Sequence, residues 1–419
     1  MKPFLRTLRW TARTLRGRAF GTALSTLKQL NNLPVNLAFF HNLPSGGALR
    51  AFYDKVRLFS RSGWQVRVYA PETAEHGFLP VPEGVVAVHG SEEMLAQIIN
   101  ASDAKLVYVD KCRTFGAPRI LRMLKKPAFY FAHEPLGLAE YQPLAEERPS
   151  MAEAAAKFAR LTLSDKVLKL FSLPHRMWIK SEDRRSVRAA TRVLAPSRFV
   201  AAWLRRVYGV EAEVLYQGID AERFCPGSVQ KQNRVLSVGR LEERKGHAFL
   251  LEVLQRIPAD RRPRLTIVYD DRASVHIEQA LKALARERGM DVDWVYRPEQ
   301  SDLVALYRSS RLALCAGVRE PFGLVPLEAM ACGTPVAAMR EGGYAETIVD
   351  GETGFLLPRD AALWASTLQS ALADPSRLER MGEAGIRHVQ KSWTWDALAP
   401  QWLASFSRDG AGDPCYDRT

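Results

Sequence analysis

Acidic residues are missing from the beginning of this 419-residue chain, since no aspartate or glutamate occurs before Asp54. The chain as a whole has a formal net charge of +13. Such a charge favours anionic partners: nucleic acid, an anionic lipid surface or a phosphorylated substrate. No nucleic-acid-binding module is recognisable, so nucleic acid is not an expected partner. Basic residues at the start are Lys2, Arg6, Arg9, Arg13, Arg16, Arg18 and Lys28.

Residues 1–30 form a basic arm with an amphipathic pattern. On a helix, four of its arginines share one face while apolar residues share another. This pattern is typical of an interfacial helix, and one expected partner is therefore an anionic membrane surface. A solvated tail and an arginine-rich transit segment are the alternatives. The two faces consist of Arg6, Arg9, Arg13 and Arg16, and of Phe4, Leu5, Leu8, Ala12 and Leu15.

Cysteines are few and long hydrophobic runs are absent. The 5 cysteines are scattered and show no CxxC spacing, which argues against a disulfide framework or a zinc site and favours reducing cytosol. No apolar run approaches the roughly 20 residues that a membrane-spanning helix needs. We therefore expect a cytoplasmic protein, soluble or peripheral on the inner face of the cell membrane. The P-loop pattern GxxxxGK[ST] is also absent, which disfavours a P-loop ATPase or kinase.

Short apolar runs alternate with helix-length amphipathic stretches, a pattern typical of parallel α/β architecture. The pattern predicts two doubly wound sheets in tandem, with ligands bound beyond the carboxyl ends of the strands in a cleft between the sheets. Predicted strands of the first sheet are 35–40, 65–69, 85–88, 106–109, 128–131 and 193–194, and those of the second are 235–238, 265–269, 292–296, 312–315 and 335–338.

The expected domains follow from this alternation. After the arm, an N-terminal Rossmann-like domain spans 31–226 and carries a long helical insertion at about 134–188. A polar linker at 227–233 opens the C-terminal Rossmann-like domain, which spans 227–390. A helix at 391–408 and a tail at 409–419 close the chain.

Glycines follow the first predicted strand. Gly46 and Gly47 precede a helix expected near Ala48, and glycines there allow backbone N–H groups to approach a phosphate. Two glycines after a strand are also ordinary turn chemistry, so this signal is weak by itself.

Two cations follow the first strand of the second sheet. Arg240 is predicted to end the strand and Lys245 to open the next helix, so both can converge on one diphosphate. A solvated, charged loop is the alternative interpretation.

The strongest pattern is the stretch Glu320-Pro-Phe-Gly-Leu-Val-Pro-Leu-Glu328. Glu320 falls in a loop after a buried strand, and Gly323 and Leu324 fall at a predicted helix start with outward N–H groups. Glu328 is expected to lie within reach of the same ligand-binding site. Two carboxylates beside exposed amides suit a sugar and a ribose, whereas a Glu328 that only caps or forms a salt bridge is the alternative.

His133 closes another strand-like run, where it can hydrogen-bond a substrate hydroxyl, although a lone histidine is more often structural. Asp291 and Asp293 have the DxD spacing of a cation site but precede a strand, opposite the expected ligand side. Asp270-Asp271 lies at a better end but has no partner. We therefore predict no metal site.

Together these residues resemble the retaining GT-B glycosyltransferases of family four. The resemblance covers nearly the whole chain after about residue 33, and its most specific parts are Ser237–Gly246 and Glu320–Pro335. It implies two Rossmann-like domains facing a central cleft, with C-terminal helices that cross back to the first domain. It also implies a nucleotide diphosphate sugar as donor, no cofactor and no obligatory metal.

The resemblance assigns a role to each candidate residue. Arg240 and Lys245 would bind the donor diphosphate as the catalytic cations, Glu320 would hold the sugar and His133 would contact it, while Glu328 would bind ribose. Other donor-binding positions would be Gly46, Gly47, Gly239, Gly323, Leu324 and Val325. The family has glycines where this chain has Tyr269 and Arg297, so the base-binding end differs.

The expected reaction is hexosyl transfer to a lipid-linked or cell-envelope glycan. A soluble synthase of small glycosides is the first alternative. A non-catalytic GT-B protein that binds nucleotide or partners is the second.

Overall fold

The computed structural model of this protein describes residues 35–43, 46–72, 82–112, 116–136, 163–270 and 275–407. Several predictions from the sequence fall outside these residues: the arm at 1–30, Asp271, the tail from 409 and the part of the insertion at 137–162. The chain divides into two compact units. Of the described residues, the first unit comprises those from 35 to 196, 201–214 and 403–407, and the second comprises those from 197 to 200 and from 215 to 402.

The first unit contains a seven-stranded sheet in which all neighbouring strands are parallel, with the order β3-β2-β1-β4-β5-β6-β7. Its central strands are apolar on both faces, as helices covering a parallel sheet require. This confirms the predicted α/β class. The strands are β1 Leu37–Asn42, β2 Val66–Pro71, β3 Val86–Gly90, β4 Leu106–Cys112, β5 Ala128–Phe131, β6 Arg192–Ala195 and β7 Ala212–Val214.

The helices of this unit cover the sheet with apolar faces at helical spacing. In the first helix, Phe52, Val56 and Phe59 recur at three- and four-residue intervals and are fully buried, which is the spacing of one helix face. Ser91 caps the second helix by accepting a hydrogen bond from Met94 N at 3.2 Å. The helices are α1 Gly47–Arg61, α2 Glu92–Ala101, α3 Leu163–Ala189 and α4 Arg198–Tyr208, with a 3₁₀ turn at Arg119–Arg122.

The second unit contains a six-stranded parallel sheet with the order β10-β9-β8-β11-β12-β13. Its strands are β8 Arg234–Val238, β9 Arg264–Tyr269, β10 Val292–Tyr296, β11 Leu312–Cys315, β12 Val336–Met339 and β13 Gly354–Leu357. Its helices are α5 His247–Gln255, α6 Val275–Glu287, α7 Gln300–Ser309, α8 Leu324–Ala331, α9 Tyr344–Thr347, α10 Ala361–Leu372, α11 Pro375–Ser392 and α12 Trp395–Ser407.

Two strands were not predicted from the sequence. Both β7 and β13 lie at an edge of their sheet, and both are short, with three and four residues. The first carries Glu213 between Ala212 and Val214, and the second, Gly354–Leu357, is apolar and buried. Apolar runs of three or four residues show too little periodicity to be assigned as strands from the sequence.

The sequence boundary at residue 227 differs from the division of the structure, in which the second unit already includes Leu215. Ile219 N donates to Trp393 O at 2.9 Å, and the Tyr216 ring lies 5.1 Å from that of Trp393. These contacts tie residues 215–226 to the second unit.

The C-terminal helix α12 contributes to both units. Phe406 near its end is fully buried in the first unit, where its ring lies 4.8 Å from Phe59 and 5.1 Å from Phe129. Among the described residues, no helix has both the length and the apolar composition needed to cross a bilayer.

Candidate active site

Strand order locates the candidate site of the second unit. Successive strands run outward in one direction through β8, β9 and β10 and in the other through β11, β12 and β13. The loops that leave β8 and β11 therefore diverge and open a crevice at the carboxyl ends of the strands, where ligands of such sheets bind. These two loops carry Arg240 and Lys245 on one side and Glu320 on the other.

Lys245 and Glu320 meet directly across these loops. Lys245 Nζ lies 2.8 Å from Glu320 Oε2, and the two side chains are 20% and 18% exposed. The pair is therefore reachable from solvent but shielded on most sides. The predicted helix start at Lys245 was wrong, since this residue ends a 3₁₀ turn at Glu243–Lys245 and α5 begins at His247.

Arg240 has a different partner. Its Nη1 lies 3.5 Å from Glu242 Oε1, and the other carboxylate oxygen of Glu242 accepts from Arg244 Nε at 3.1 Å. The Arg240 side chain is 40% exposed. Lys245 therefore pairs with Glu320 on the other loop, whereas Arg240 pairs with Glu242 on its own loop.

A buried histidine that the sequence analysis did not single out supports this loop. His247 Nε2 lies 3.1 Å from the Arg240 carbonyl oxygen, and Nδ1 lies 3.3 Å from Ser237 Oγ. Burial lowers the pKa of His247 to about 4. The ring is consequently neutral at physiological pH and fixes the backbone at Arg240 without adding charge.

The loop after β11 is held by backbone contacts with two glycines that follow β12. Gly343 N donates to Glu320 O at 2.8 Å. A Cβ on Gly342 would lie 2.5 Å from Glu320 O, and one on Gly343 would lie 2.3 Å from Phe322 O. Only glycine allows this approach. The pair Gly342-Gly343 was missed, although two adjacent glycines after a buried strand were a usable signal.

Helix α8 begins as predicted, with Gly323 at its N-cap and Leu324 as its first residue. Gly323 has a φ of 108°, a conformation that favours glycine. Leu324 and Val325 are half-buried, and the first N–H groups of a helix lack partners within it. This helix start can bind an anion or a polar oxygen.

Glu328 lies deeper than expected. It is only 4% exposed, and its Oε2 accepts a hydrogen bond from Tyr307 Oη at 2.8 Å. Tyr307, on α7, is fully buried and was not predicted as a site residue. The carboxylate is therefore held by a partner inside the fold.

In the first unit, Gly46 and Gly47 form the start of α1, with Gly46 at the N-cap and Gly47 as the first helical residue. Gly46 has a φ of 129°, and its carbonyl oxygen accepts from Arg50 N at 3.1 Å. The first turn of α1 contains no acidic residue, which leaves the positive end of the helix dipole uncompensated from within that turn.

His133 follows the carboxyl end of β5, as predicted, and contacts a carboxylate that the sequence analysis missed. Its Nε2 lies 2.7 Å from Asp110 Oδ1. Burial alone would raise the pKa of Asp110, but the neighbouring His133 and Lys55, with the backbone N–H of Lys111, lower it to about 2. Asp110 is therefore an anion across the physiological range.

Lys55 completes this group of buried charges. Its Nζ lies 3.9 Å from Asp110 Oδ2, and both side chains are fully buried. Burial lowers the pKa of Lys55 to about 8, against the opposing effects of Asp110 and Asp54. The available signal was a lysine on the face of α1 that also carries Phe52, Val56 and Phe59.

Within the described ranges, no three or more His, Cys, Asp or Glu side chains are arranged to hold a metal ion. The DxD residues have other partners: Arg264 Nη2 lies 3.3 Å from Asp291 Oδ2 and 2.7 Å from Asp293 Oδ1. Both carboxylates lie at the amino end of β10, as expected.

Comparison with known families agrees with this architecture. The family model described as Glycosyl transferases group 1 matches residues 218–388, and that described as Glycosyltransferase Family 4 matches residues 45–223. The two matches overlap at residues 218–223 and together cover residues 45–388, which include every strand of both sheets except β1.

Individual proteins show the same relationship. D-inositol 3-phosphate glycosyltransferase of Gordonia bronchialis is 30% identical over 248 residues, which are 54% of this chain and 54% of that protein. The chain spans about half the length of the curated relatives it matches.

Two solved structures share the fold at low identity. HepE of Anabaena, in complex with UDP and glucose, has a TM-score of 0.66 at 17% identity and covers 89% of this chain and 100% of its own. WaaG, a glycosyltransferase involved in lipopolysaccharide biosynthesis, has a TM-score of 0.62 at 20% identity with 89% and 100% coverage.

Two Rossmann-like parallel sheets, with candidate residues at the carboxyl ends of their strands, define a protein of the GT-B class. The matches are more specific than the fold. This chain belongs to the group 1 glycosyltransferases of family four.

Proposed function

We propose that this protein is a retaining glycosyltransferase that moves a hexosyl group from a nucleotide diphosphate sugar to a glycan acceptor. The observation that carries the proposal is the contact between Lys245 Nζ and Glu320 Oε2, 2.8 Å apart at the switch point of the second sheet. A cation and a carboxylate there suit the two parts of such a donor, its diphosphate and its sugar.

The main electrostatic demand of this reaction is the negative charge that develops as the nucleoside diphosphate departs. Positioned cations at that point stabilise the transition state more than the ground state. Arg240 and Lys245 supply two positive charges, and the start of α8 adds the partial charge of its N–H groups. With this charge provided by the chain, the reaction needs neither a metal ion nor a cofactor beyond the donor.

The remaining roles follow from chemistry and position. Glu320 and the amides near Gly323 and Leu324 hold sugar hydroxyls, Glu328 binds the ribose, and His133 contacts the transferred sugar. Gly46, Gly47, Gly239 and Val325 let backbone approach the donor. UDP is the first nucleotide to test, because HepE was solved with it.

The proposed acceptor is a lipid-linked or cell-envelope glycan, with the protein on the cytoplasmic side of the membrane. The basic, amphipathic arm at 1–30 supports membrane contact through its charge pattern. WaaG, which shares the fold, acts in lipopolysaccharide biosynthesis.

A donor screen tests the proposal. Purified protein is mixed with UDP-, GDP- and ADP-sugars, with and without a membrane-lipid extract, and release of nucleoside diphosphate is followed in EDTA and in its absence. We expect release that depends on the acceptor, survives EDTA and is lost in Arg240→Ala. No release and no nucleotide binding under any condition would instead support the non-catalytic alternative.

Transfer to a small soluble acceptor is the second candidate, favoured by the relative named D-inositol 3-phosphate glycosyltransferase. Deletion of residues 1–30 separates the two. Loss of transfer to lipid-linked acceptors alone supports the membrane proposal, whereas unchanged activity on a sugar phosphate supports the small-glycoside synthase. The anomeric configuration of the product, read by NMR, decides whether the reaction is retaining.

A further inference from the structure

Three ionisable side chains from separate segments meet inside the first unit. Lys55 comes from α1, Asp110 from β4 and His133 from the segment after β5. Asp110 Oδ1 lies 2.7 Å from His133 Nε2, and Asp110 Oδ2 lies 3.9 Å from Lys55 Nζ. Only His133 has measurable exposure, with 13% of its side chain accessible against 0% for both others.

This arrangement is costly for the fold. Removing two charges from water carries a desolvation penalty that their attraction does not always offset, so a buried ion pair is weak support for stability. A well-packed apolar pair would serve packing equally well. The position of the pair, directly behind the histidine at the carboxyl ends of β4 and β5, points instead to a role exerted through His133.

The Asp110 carboxylate is fixed by contacts on both oxygens. Oδ1 accepts from Lys111 N at 2.7 Å, and Oδ2 accepts from Tyr108 Oη at 2.9 Å. A carboxylate with so many donors cannot turn away from His133. Because an ionised carboxylate only accepts hydrogen bonds, His133 Nε2 is the donor, and its proton stays on that nitrogen.

Lys55 is fixed as well. Its Nζ lies 4.3 Å from the centroid of the Phe131 ring, and that ring stands edge-on to His133 at 5.0 Å between centroids. The same aromatic side chain therefore contacts both the cation and the imidazole. Lys55 balances the charge of Asp110 while Phe131 restricts the plane of the histidine.

We propose that Asp110 and Lys55 are a positioning pair for His133. They hold its ring in one orientation and in the Nε2–H tautomer, so that Nδ1 is the nitrogen presented to the transferred sugar. The proposal rests on the proposed role of His133. Neither Asp110 nor Lys55 touches substrate itself.

The direct test is the protonation state of the imidazole in the intact protein. Nitrogen-15 NMR of the His133 ring, with His133→Gln used to assign the signals, distinguishes a protonated Nε2 from a protonated Nδ1. We expect Nε2–H in the native chain and a mixture in Asp110→Asn, because the amide of asparagine can donate as well as accept. Asp54→Asn is the matched control: it removes a neighbouring carboxylate bound to Arg57 at 2.9 Å and should leave the tautomer unchanged.

Kinetic measurements test whether Asp110 affects sugar transfer through His133. Asp110→Asn should lower kcat/KM for transfer by roughly 10- to 100-fold, the range found when a carboxylate that orients a metal-bound histidine is lost. Binding of nucleoside diphosphate alone, measured by calorimetry, should be unchanged. In a His133→Ala background the same substitution should have almost no further effect, because coupled residues are not additive.

A double variant serves as the control for loss of folding. Either single substitution can leave a buried charge without its partner, so Lys55→Met with Asp110→Asn removes both charges together. This double variant should fold, bind nucleoside diphosphate normally and show the same loss of transfer as Asp110→Asn.

Three results would overturn the proposal. They are an unchanged tautomer in Asp110→Asn, an undiminished effect of that substitution in the His133→Ala background, and full activity of the double variant. Absence of transfer in the native protein would refute the proposed function instead. The NMR result would still decide whether Asp110 controls the histidine.

Discussion

The two candidate sites of this protein hold their charges in opposite ways. In the second unit, Lys245 and Glu320 form a partly exposed pair on two loops, and glycines that allow close backbone contact fix the path of those loops. In the first unit, Lys55 and Asp110 are fully buried, and side chains from three segments fix them. Backbone contacts at glycines position the charged residues of the second unit, whereas side-chain contacts position those of the first unit.

The difference has a physical consequence. A partly exposed charge keeps much of its hydration and can exchange its protein partner for a ligand at small cost, whereas a buried charge cannot be left unpaired without a large penalty. Lys245 is thus suited to meet an arriving diphosphate. Lys55 and Asp110 are suited to hold something in place.

Loss of the exposed cation should have the largest effect on activity. Lys245→Ala should reduce kcat by roughly 100- to 1,000-fold, the loss seen when one preorganised electrostatic group is removed from an active site. Stability should change less than activity, because Lys245 and Glu320 are 20% and 18% exposed and water can reach the remaining carboxylate. Lys391→Ala, at an exposed position in α11, is the control. Equal activity in the two variants would mean that Lys245 takes no part in the reaction.

Glycine substitutions test whether the second site is built from backbone. Gly246 has a φ of 73°, and a Cβ there would lie 2.3 Å from the Ala316 carbonyl oxygen. Gly351 has a similar φ of 80° but nothing within 4 Å. Alanine at Gly351 should lower the free energy of unfolding by about 1 kcal/mol through backbone conformation alone, and at Gly246 by about 2 to 4 kcal/mol because of the added clash.

Urea unfolding measures this difference, and nucleoside diphosphate affinity should fall only in Gly246→Ala. If both variants lose the same stability, the clash is relieved by movement and the backbone does not define the site.

Removal of one buried hydroxyl should have a smaller effect. Tyr307→Phe deletes the hydrogen bond to Glu328 Oε2, and a bond to a charged group contributes about 1.5 to 3 kcal/mol. We expect nucleoside diphosphate binding to weaken by roughly tenfold, which corresponds to about 1.4 kcal/mol. A 2′,3′-dideoxy nucleotide should bind both proteins equally. A matching loss for the dideoxy compound would mean that Glu328 does not bind ribose.

The last prediction concerns the pH dependence of stability that one buried carboxyl group of the first unit contributes. Asp183 accepts from Tyr208 Oη at 2.6 Å and from Ala117 N at 2.9 Å, and burial raises its pKa to about 6. Its unfolded pKa is about 3.9, so the native state binds more protons between these values. Asp183 therefore contributes stability that is lost as pH rises from about 4 to 6, by at most about 1.4 kcal/mol per pH unit, whereas His247, whose pKa is lowered to about 4, contributes stability that is gained over the same range.

Asp183→Asn should remove this contribution, so the stability measured by urea unfolding should rise more steeply with pH across that range than it does in the native chain. Asp103→Asn, at an exposed position of the same unit, should retain it. An unchanged slope in Asp183→Asn would assign the pH dependence to other groups.

Much of the second unit could be predicted from the sequence because its signals are local. The loop from Gly239 to Gly246 and the start of α8 at Leu324 are encoded by adjacent residues, and the predicted helix start at Gly323 and Leu324 was confirmed. The prediction failed where a contact decided the outcome. Lys245 ends a 3₁₀ turn, and Glu328 is held by Tyr307 from another helix.

The first unit was predictable as a fold but only in part as a site. The strand leading to His133 was confirmed, since apolar runs define parallel strands. The partner of His133 was not predictable, because Asp110 lies 23 residues away in the chain. Their contact depends on β4 and β5 being neighbours in the sheet.

The sequence by itself determined the alternation of strands and helices, the glycines at tight turns and the charged residues after each central strand, because these depend on neighbours along the chain. Only the tertiary structure decided which charges are buried and which side chains meet. Burial depends on the packing of segments distant in sequence, and a charge acquires its pKa, its partner and its role from that packing.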